Sequence, residues 1–286
     1  MAEVDNYANR RYSTAMNRYF QIAVFSCGLA VVILGGCRGS KQEQDEPIWK
    51  HVKLRDLATP DVNGQTDSQL KTINFNVFIY DMPAAKIGDL NDIWQVLYTR
   101  QLQFSNYNAF RANSFKVGFG QQGQSWGKIG EVLGKAGAKE SELLSLFLTN
   151  GQSDYVSIAV LENEQTVWYF PSGDAIEGAT LGPGEITLKV RAQTTAEQRG
   201  VCKVEMQPAF PARILGPIEE AVGQKNGDFL FSGCRLRLKM GVGDFIFLGP
   251  DKYIADKITL GSLFFSRAGR MPAVRTYLIV CTGIND

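Results

Sequence analysis

Apolar and polar residues alternate along most of this chain with a period of two, a pattern that predicts strands. It is clearest at TINFNVFIY, where Ile73, Phe75, Val77 and Ile79 fall on one side of an extended segment. DMPAAK breaks the run. LNDIWQVL, residues 90–97, then spaces Leu90, Ile93, Trp94 and Leu97 by three and four, which predicts a helix with one apolar face. FSNYNAF and NSFKVGFG read as two further strands, joined through Arg111-Ala112-Asn113. QSWGKIGEVLGKAG reads as a second helix, with Trp126, Ile129, Val132 and Leu133 on one side and Gly134 and Gly137 to end it. LLSLFL, DYVSIAVL, QTVWYF and ITLKVRA are strands between NGQS, NEQ and the turn-rich PSGDAIEGATLGPG. Beyond TTAEQRG come VCKVEMQ, DFLFSGCRLRLKM, GDFIFLG and VRTYLIVCTGI, again strand-like. The expected fold class is α+β: an early strand-helix-strand-strand-helix unit followed by mainly antiparallel β structure.

The first 70 residues follow a different rule. Arg10, Arg11 and Arg18 precede Phe20 to Leu34, a stretch of 15 residues without a charge. That is short for a spanning helix, which needs about 20 apolar residues, and it fits the hydrophobic region of an export signal. Leu34, Gly35 and Gly36 then lead into Cys37, and the chain turns polar at Arg38. This segment resembles the lipobox of bacterial lipoproteins. The resemblance implies cleavage before Cys37, lipidation (palmitate included) of Cys37 as the new N-terminus, and attachment to the membrane through that lipid. Arg38 in the next place resembles the outer-membrane sorting class, which implies a periplasm-facing protein of the cell envelope. An uncleaved anchor helix from about Tyr19 to Cys37 is the other reading of the same residues. The expected organisation is a signal peptide over 1–36, the lipidated Cys37 and a polar tether over 37–70, an α+β domain over 71–192 and a β-rich domain over 193–286.

Composition then narrows the chemistry. The formal net charge is +1, so nothing in the overall balance attracts nucleic acid. His51 is the one histidine and falls in the tether, which removes the usual base of serine and cysteine nucleophiles and the usual ligand of catalytic zinc. Asp81, Asp89, Asp92, Glu162, Glu164, Asp174 and Glu177 lie near loops, but their spacing singles out no pair for acid–base work. GFGQQG, Gly118 to Gly123, matches a dinucleotide fingerprint, yet LLSLFL after it ends at Thr149-Asn150 without the acid that would hold a ribose. The expectation is a protein that is not an enzyme, with no catalytic residue, no metal and no cofactor. Of the later cysteines, Cys281 reads as a small core residue, while Cys202 and Cys234 could pair. Arg235, Arg237 and Lys239 alternate with Leu236, Leu238 and Met240, so the three cations share one face of a strand. Such a row reads as the wet face of a half-buried sheet, or as a surface for an acidic partner, lipid headgroup or anionic glycan.

Two stretches of the body resemble secretins. FRANSFKVGFGQQGQSWGKIGEVL, with Asn113 to Gly118 as turn and strand, is similar to their small ring-building domains. LGSLFFSRAGRMPAVRTYLIVCTGI, Leu260 to Ile284, is similar to the closing stretch of a secretin channel, with its Leu-Gly-x-Leu-Phe turn and last apolar strand. ADKITLG stands where the proline-bounded gate motif would be, so the resemblance implies a related envelope module and not a channel. The expected function is a structural or accessory component of an envelope or secretion-type assembly, partnered by the membrane, by other envelope proteins or by copies of itself. The alternative is a monomeric lipoprotein that binds a glycan or peptide, with Trp168-Tyr169-Phe170 as one aromatic surface.

Overall fold

A computed structural model describes residues 71–211, 227–254, 257–267 and 269–285. The signal segment, Cys37, the tether and His51 lie outside the described residues. The chain begins with β1 (Thr72–Pro83), a 3-10 segment (Ala84–Leu90), α1 (Asn91–Val96), β2 (Gln103–Phe104), α2 (Tyr107–Ala112), β3 (Phe115–Gln121) and α3 (Gln122–Lys135). Next come β4 (Lys139–Thr149), β5 (Ser153–Leu161), β6 (Gln165–Tyr169), β7 (Glu177–Leu181), β8 (Gly184–Thr194) and β9 (Val201–Phe210). It closes with β10 (Phe229–Leu230), β11 (Leu236–Gly241), β12 (Asp244–Pro250), α4 (Leu260–Phe265), β13 (Ser266–Arg267) and β14 (Ala273–Asn285).

Two antiparallel sheets carry the architecture. Sheet A has the order β3-β12-β14-β1-β4, and sheet B the order β2-β11-β9-β8-β5. Alternation along β1 explains how they stack. Ile73, Phe75, Val77 and Ile79 join one core cluster with Val156, Leu188, Val190, Val204 and Leu238 of sheet B. On the other face, Met82 of β1 and Leu278 and Val280 of β14 meet Ile93 and Leu97, and Ile129, Val132 and Leu133 of α3. The layers are therefore helix, sheet A and sheet B, and no further layer among the described residues covers the outer face of sheet B. β14 is covered on both sides, so its apolar residues run nearly without interruption, as in YLIVC.

The expected α+β class is corrected to a mainly β fold. Among the described residues strand accounts for 53% and helix for 21%. The early elements form no unit of their own, because β1 is zipped to β14 from Thr72↔Asn285 to Pro83↔Ala273, and β3 pairs with β12. The strands from β1 to β14 belong to one compact unit. Within the early order, FSNYNAF is not a strand. The Asn106 side chain accepts from Ala109 N at 3.0 Å, an N-cap that starts α2 there. LGSLFF is likewise helical, as α4, opened by a capping box of Thr259 and Ser262.

The dinucleotide-like glycines have a packing role. A Cβ on Gly118 would lie 2.5 Å from Leu97 Cβ, and one on Gly120 would lie 2.5 Å from the Phe245 ring, whereas Gly123 has open space. The strand after α3 is antiparallel to β1, so no parallel βαβ crevice exists for a dinucleotide.

Candidate functional site

The outer face of sheet B is built by period-two alternation in three strands. Lys189, Arg191 and Gln193 of β8, Lys203 and Glu205 of β9, and Arg237 and Lys239 of β11 all point away from the core, while Leu188, Val190, Val204 and Leu238 point into it. Antiparallel register then sets them in cross-strand rows. Arg237 faces Glu205, which faces Arg191, and Lys239 faces Lys203, which faces Gln193. At one border the turn before β2 adds Arg100 and Gln101, and β2 itself adds Gln103. Apart from Lys189, these residues line a groove of about 510 Å³ with five cationic side chains and a single carboxylate, Glu205.

Neutralisation across this face is uneven. Lys189 Nζ lies 2.6 Å from Asp228, to which Tyr155 Oη also donates, and it sits 5.2 Å from the centre of the Tyr155 ring. Burial pulls Lys189 down, but its hydrogen bond to Asp228 more than reverses this and leaves it above the ordinary lysine value. Arg237 pairs with Glu205, and Lys239 Nζ approaches exposed Glu197 at 3.8 Å. Arg191 Nε donates to Gly151 O at 2.9 Å and Arg235 is tied to Ser105 Oγ. Among the described residues no carboxylate lies within ion-pair distance of Lys203 or Arg100.

The pair Lys203↔Lys239 is the sharpest feature. Ser105 N donates to Arg235 O at 2.9 Å, so odd-numbered backbone groups of β11 point towards β2 and even-numbered ones towards β9. Lys239 and Lys203 are therefore a non-hydrogen-bonded pair, the close kind with Cα atoms about 4.5 Å apart. Like charges directly opposed in this way are destabilising. Such a pair suits a site that an anion occupies, through ammonium point charges beside the Arg forks and Gln amides.

The row Arg235, Arg237 and Lys239 foreseen from the sequence is thus split: Arg237 and Lys239 line the groove and Arg235 does not. The sequence reading missed Arg100, Arg191 and Lys203. Their signal was available as cations at alternate positions in several strands, but only the register brings them together. The loop carboxylates are dispersed. Asp81 is bound by Arg275 across β1 and β14, Asp89 lies 3.7 Å from Lys86, and Glu177 accepts from Tyr169 Oη at 3.4 Å. Glu162 and Glu164 are exposed in the β5–β6 turn, and Asp92 and Asp174 are also exposed. Trp168 is 43% exposed on the separate β6–β7 hairpin, but Tyr169 packs against Phe229 and Phe231. No group of three or more His, Cys, Asp or Glu that could hold a metal occurs among the described residues.

The pairing that the sequence left open between Cys202 and Cys234 is not made. Cys202, Cys234 and Cys281 are free and buried, and the thiol beside Cys202 is Cys281. The hydrogen bond with Cys281 and then burial push Cys202 up, while the same bond holds Cys281 down. Burial, outweighing a hydrogen bond with Asn113, pushes Cys234 up to about 12.

Fold and site together define an antiparallel two-sheet protein with one helical layer and a cationic groove on its open sheet. No family model matches the sequence, and no curated protein matches it. Among solved structures the chain has a weak likeness to secretins. It is similar to the InvG secretin domain β-barrel from the Salmonella SPI-1 injectisome NC-base at 12% identity and a TM-score of 0.24, over 76% of this chain and 64% of that one. It is also similar to the secretin InvG of the Salmonella SPI-1 type III secretion injectisome, at 14% identity and a TM-score of 0.21, over 76% of this chain and 66% of that one. The chain thus spans just under two thirds of the length of each.

Proposed function

We propose that this chain is a non-enzymatic binding component of a cell-envelope assembly, and that the groove over sheet B holds an anionic partner. The observation that carries this reading is the facing pair Lys203 and Lys239 in a groove where cations outnumber carboxylates five to one. The lipobox-like segment ending at Cys37 supports the envelope placement and a lipid anchor, and the scattered carboxylates support binding over catalysis.

The test is binding of a fluorescent polyglutamate to the full-length protein in mild detergent, beside a Lys203→Glu/Lys239→Glu variant. Exchanging two cations for two anions should weaken binding at least about tenfold and flatten its salt dependence, since attraction between exposed charges is screened on a Debye length of about 8 Å at physiological salt. Equal binding by both proteins overturns the groove reading. Light scattering on the same preparation, beside Cys37→Ser, tests the assembly and the anchor. A discrete multimer supports the assembly and a monomer opposes it. Release of Cys37→Ser from the membrane supports the lipid anchor, and its retention at unchanged mass per chain supports the helix anchor.

A further inference from the structure

The groove has a second property that charge alone does not supply: among the described residues, a ladder position is left unfilled. β2 pairs with β11 only at Leu236↔Phe104 and Arg237↔Gln103. The chain leaves that line at the turn Thr99–Leu102, where Leu102 N donates to Thr99 O at 3.0 Å. Beyond Arg237, β11 continues for four residues, paired with β9 on one side only. By the odd–even alternation established above, the N–H and C=O of Lys239 point to the vacated side. Gly241 N is already taken by Asp244 Oδ2 at 2.8 Å, but its carbonyl faces the same way. Lys239 and Leu238 line the groove at this point, with Arg100 and Gln101 across from them.

Resting on the anionic-partner reading above, we propose that the partner is an extended acidic peptide segment that adds to sheet B alongside β11, pairing with the backbone of Lys239. Strand addition of this kind takes its affinity from main-chain hydrogen bonds and its selectivity from alternate side chains. A residue opposite Lys239 on the incoming strand would project its side chain on the groove face, within reach of Lys203, Lys239 and Arg100. An acid there neutralises the lysine pair. The following residue projects to the other face, so the preferred sequence alternates acidic and apolar positions. An acidic glycan could meet the same charges but has no backbone to continue the ladder. That is why a peptide is favoured.

The experiment uses the full-length protein and three probes: a capped hexapeptide of alternating Glu and Val, the same peptide N-methylated on alternate backbone nitrogens, and a polygalacturonate oligomer. Affinity is read by titration calorimetry, and exchange of the Lys239 amide by hydrogen–deuterium exchange. The expected result is that the plain peptide binds, that N-methylation on the pairing edge weakens it at least about tenfold, and that exchange at Lys239 slows in the complex. Lys239→Pro, which removes the outward N–H, should lose the plain peptide while a Lys239→Arg variant keeps it. Equal binding of plain and methylated peptides, or tighter binding of the oligomer with exchange at Lys239 unchanged, overturns the strand-addition proposal and leaves the anionic groove standing. Failure of all three probes to bind overturns both.

Discussion

Arg275 donates from Nε and Nη2 to the two carboxylate oxygens of Asp81, at 2.7 and 2.8 Å, and the two residues are direct partners in the β1–β14 ladder. The side chains are 18% and 27% exposed, so water screens the pair only in part. It joins two strands that are 194 residues apart in sequence at this point.

Burial pushes the Asp81 carboxyl up, and the Arg275 hydrogen bonds and charge more than reverse it, leaving it below the ordinary value of 3.8. The group is more acidic folded than unfolded, so its stabilisation is complete above 3.8 and is lost as pH falls through the lower folded value. Asp81→Asn is expected to lower stability by about 2 kcal/mol at pH 7. Urea titrations should show that difference unchanged at pH 6 and shrinking below pH 3.8. A gap that widens on acidification would contradict the pairing.

Lys203→Glu places an acid opposite Lys239. It is expected to raise stability by about 0.5 kcal/mol while weakening capture of polyglutamate. Thermal unfolding and the binding titration, run on one preparation, should move in opposite directions. Loss of both would mark Lys203 as structural.

A Cβ on Gly261 would lie 2.1 Å from Asn113 O, against backbone that cannot swing aside. Gly261→Ala is expected to cost about 3 kcal/mol. Gly127 and Gly130 sit inside α3 with nothing within 4 Å of such a Cβ. Alanine at either is expected to stabilise by about 0.5–1 kcal/mol. Melting temperatures of the three single variants test the contrast.

Cys234 should resist alkylation at pH 8 in the native protein, because it is 2% exposed and its thiol is pushed up to about 12. Peptide mass mapping after iodoacetamide should find it unmodified, and modified once urea is added. Rapid labelling without urea would place it elsewhere.

Most strands were legible because a residue with one wet side and one dry side leaves a period-two trace, as in β1, β5 and β11. The helix α2 was not, since FSNYNAF carries enough aromatics to pass as a strand and its start depends on one side chain, Asn106. β7 was hidden in PSGDAIEGATLGPG, where Glu177–Leu181 is a strand only by pairing with β6. The fold class went astray for a related reason. Local pattern shows that β1 is a strand but not that its neighbours are β14 and β4. The groove was half visible: one strand's cations stood out, and the register that turns Lys203 towards Lys239 did not.

That same ladder has a consequence for how the molecule comes into being. β14 lies between β12 and β1 in the middle of sheet A, and it is the last strand among those described. While the chain is being made, β1 can find β4 but lacks its other neighbour, and β3 waits for β12. Closure over such long separations is slow, since loop entropy is lost before contact is gained. A chain stopped before residue 273 would therefore present the bare edges of β1 and β12 to whatever lay nearby.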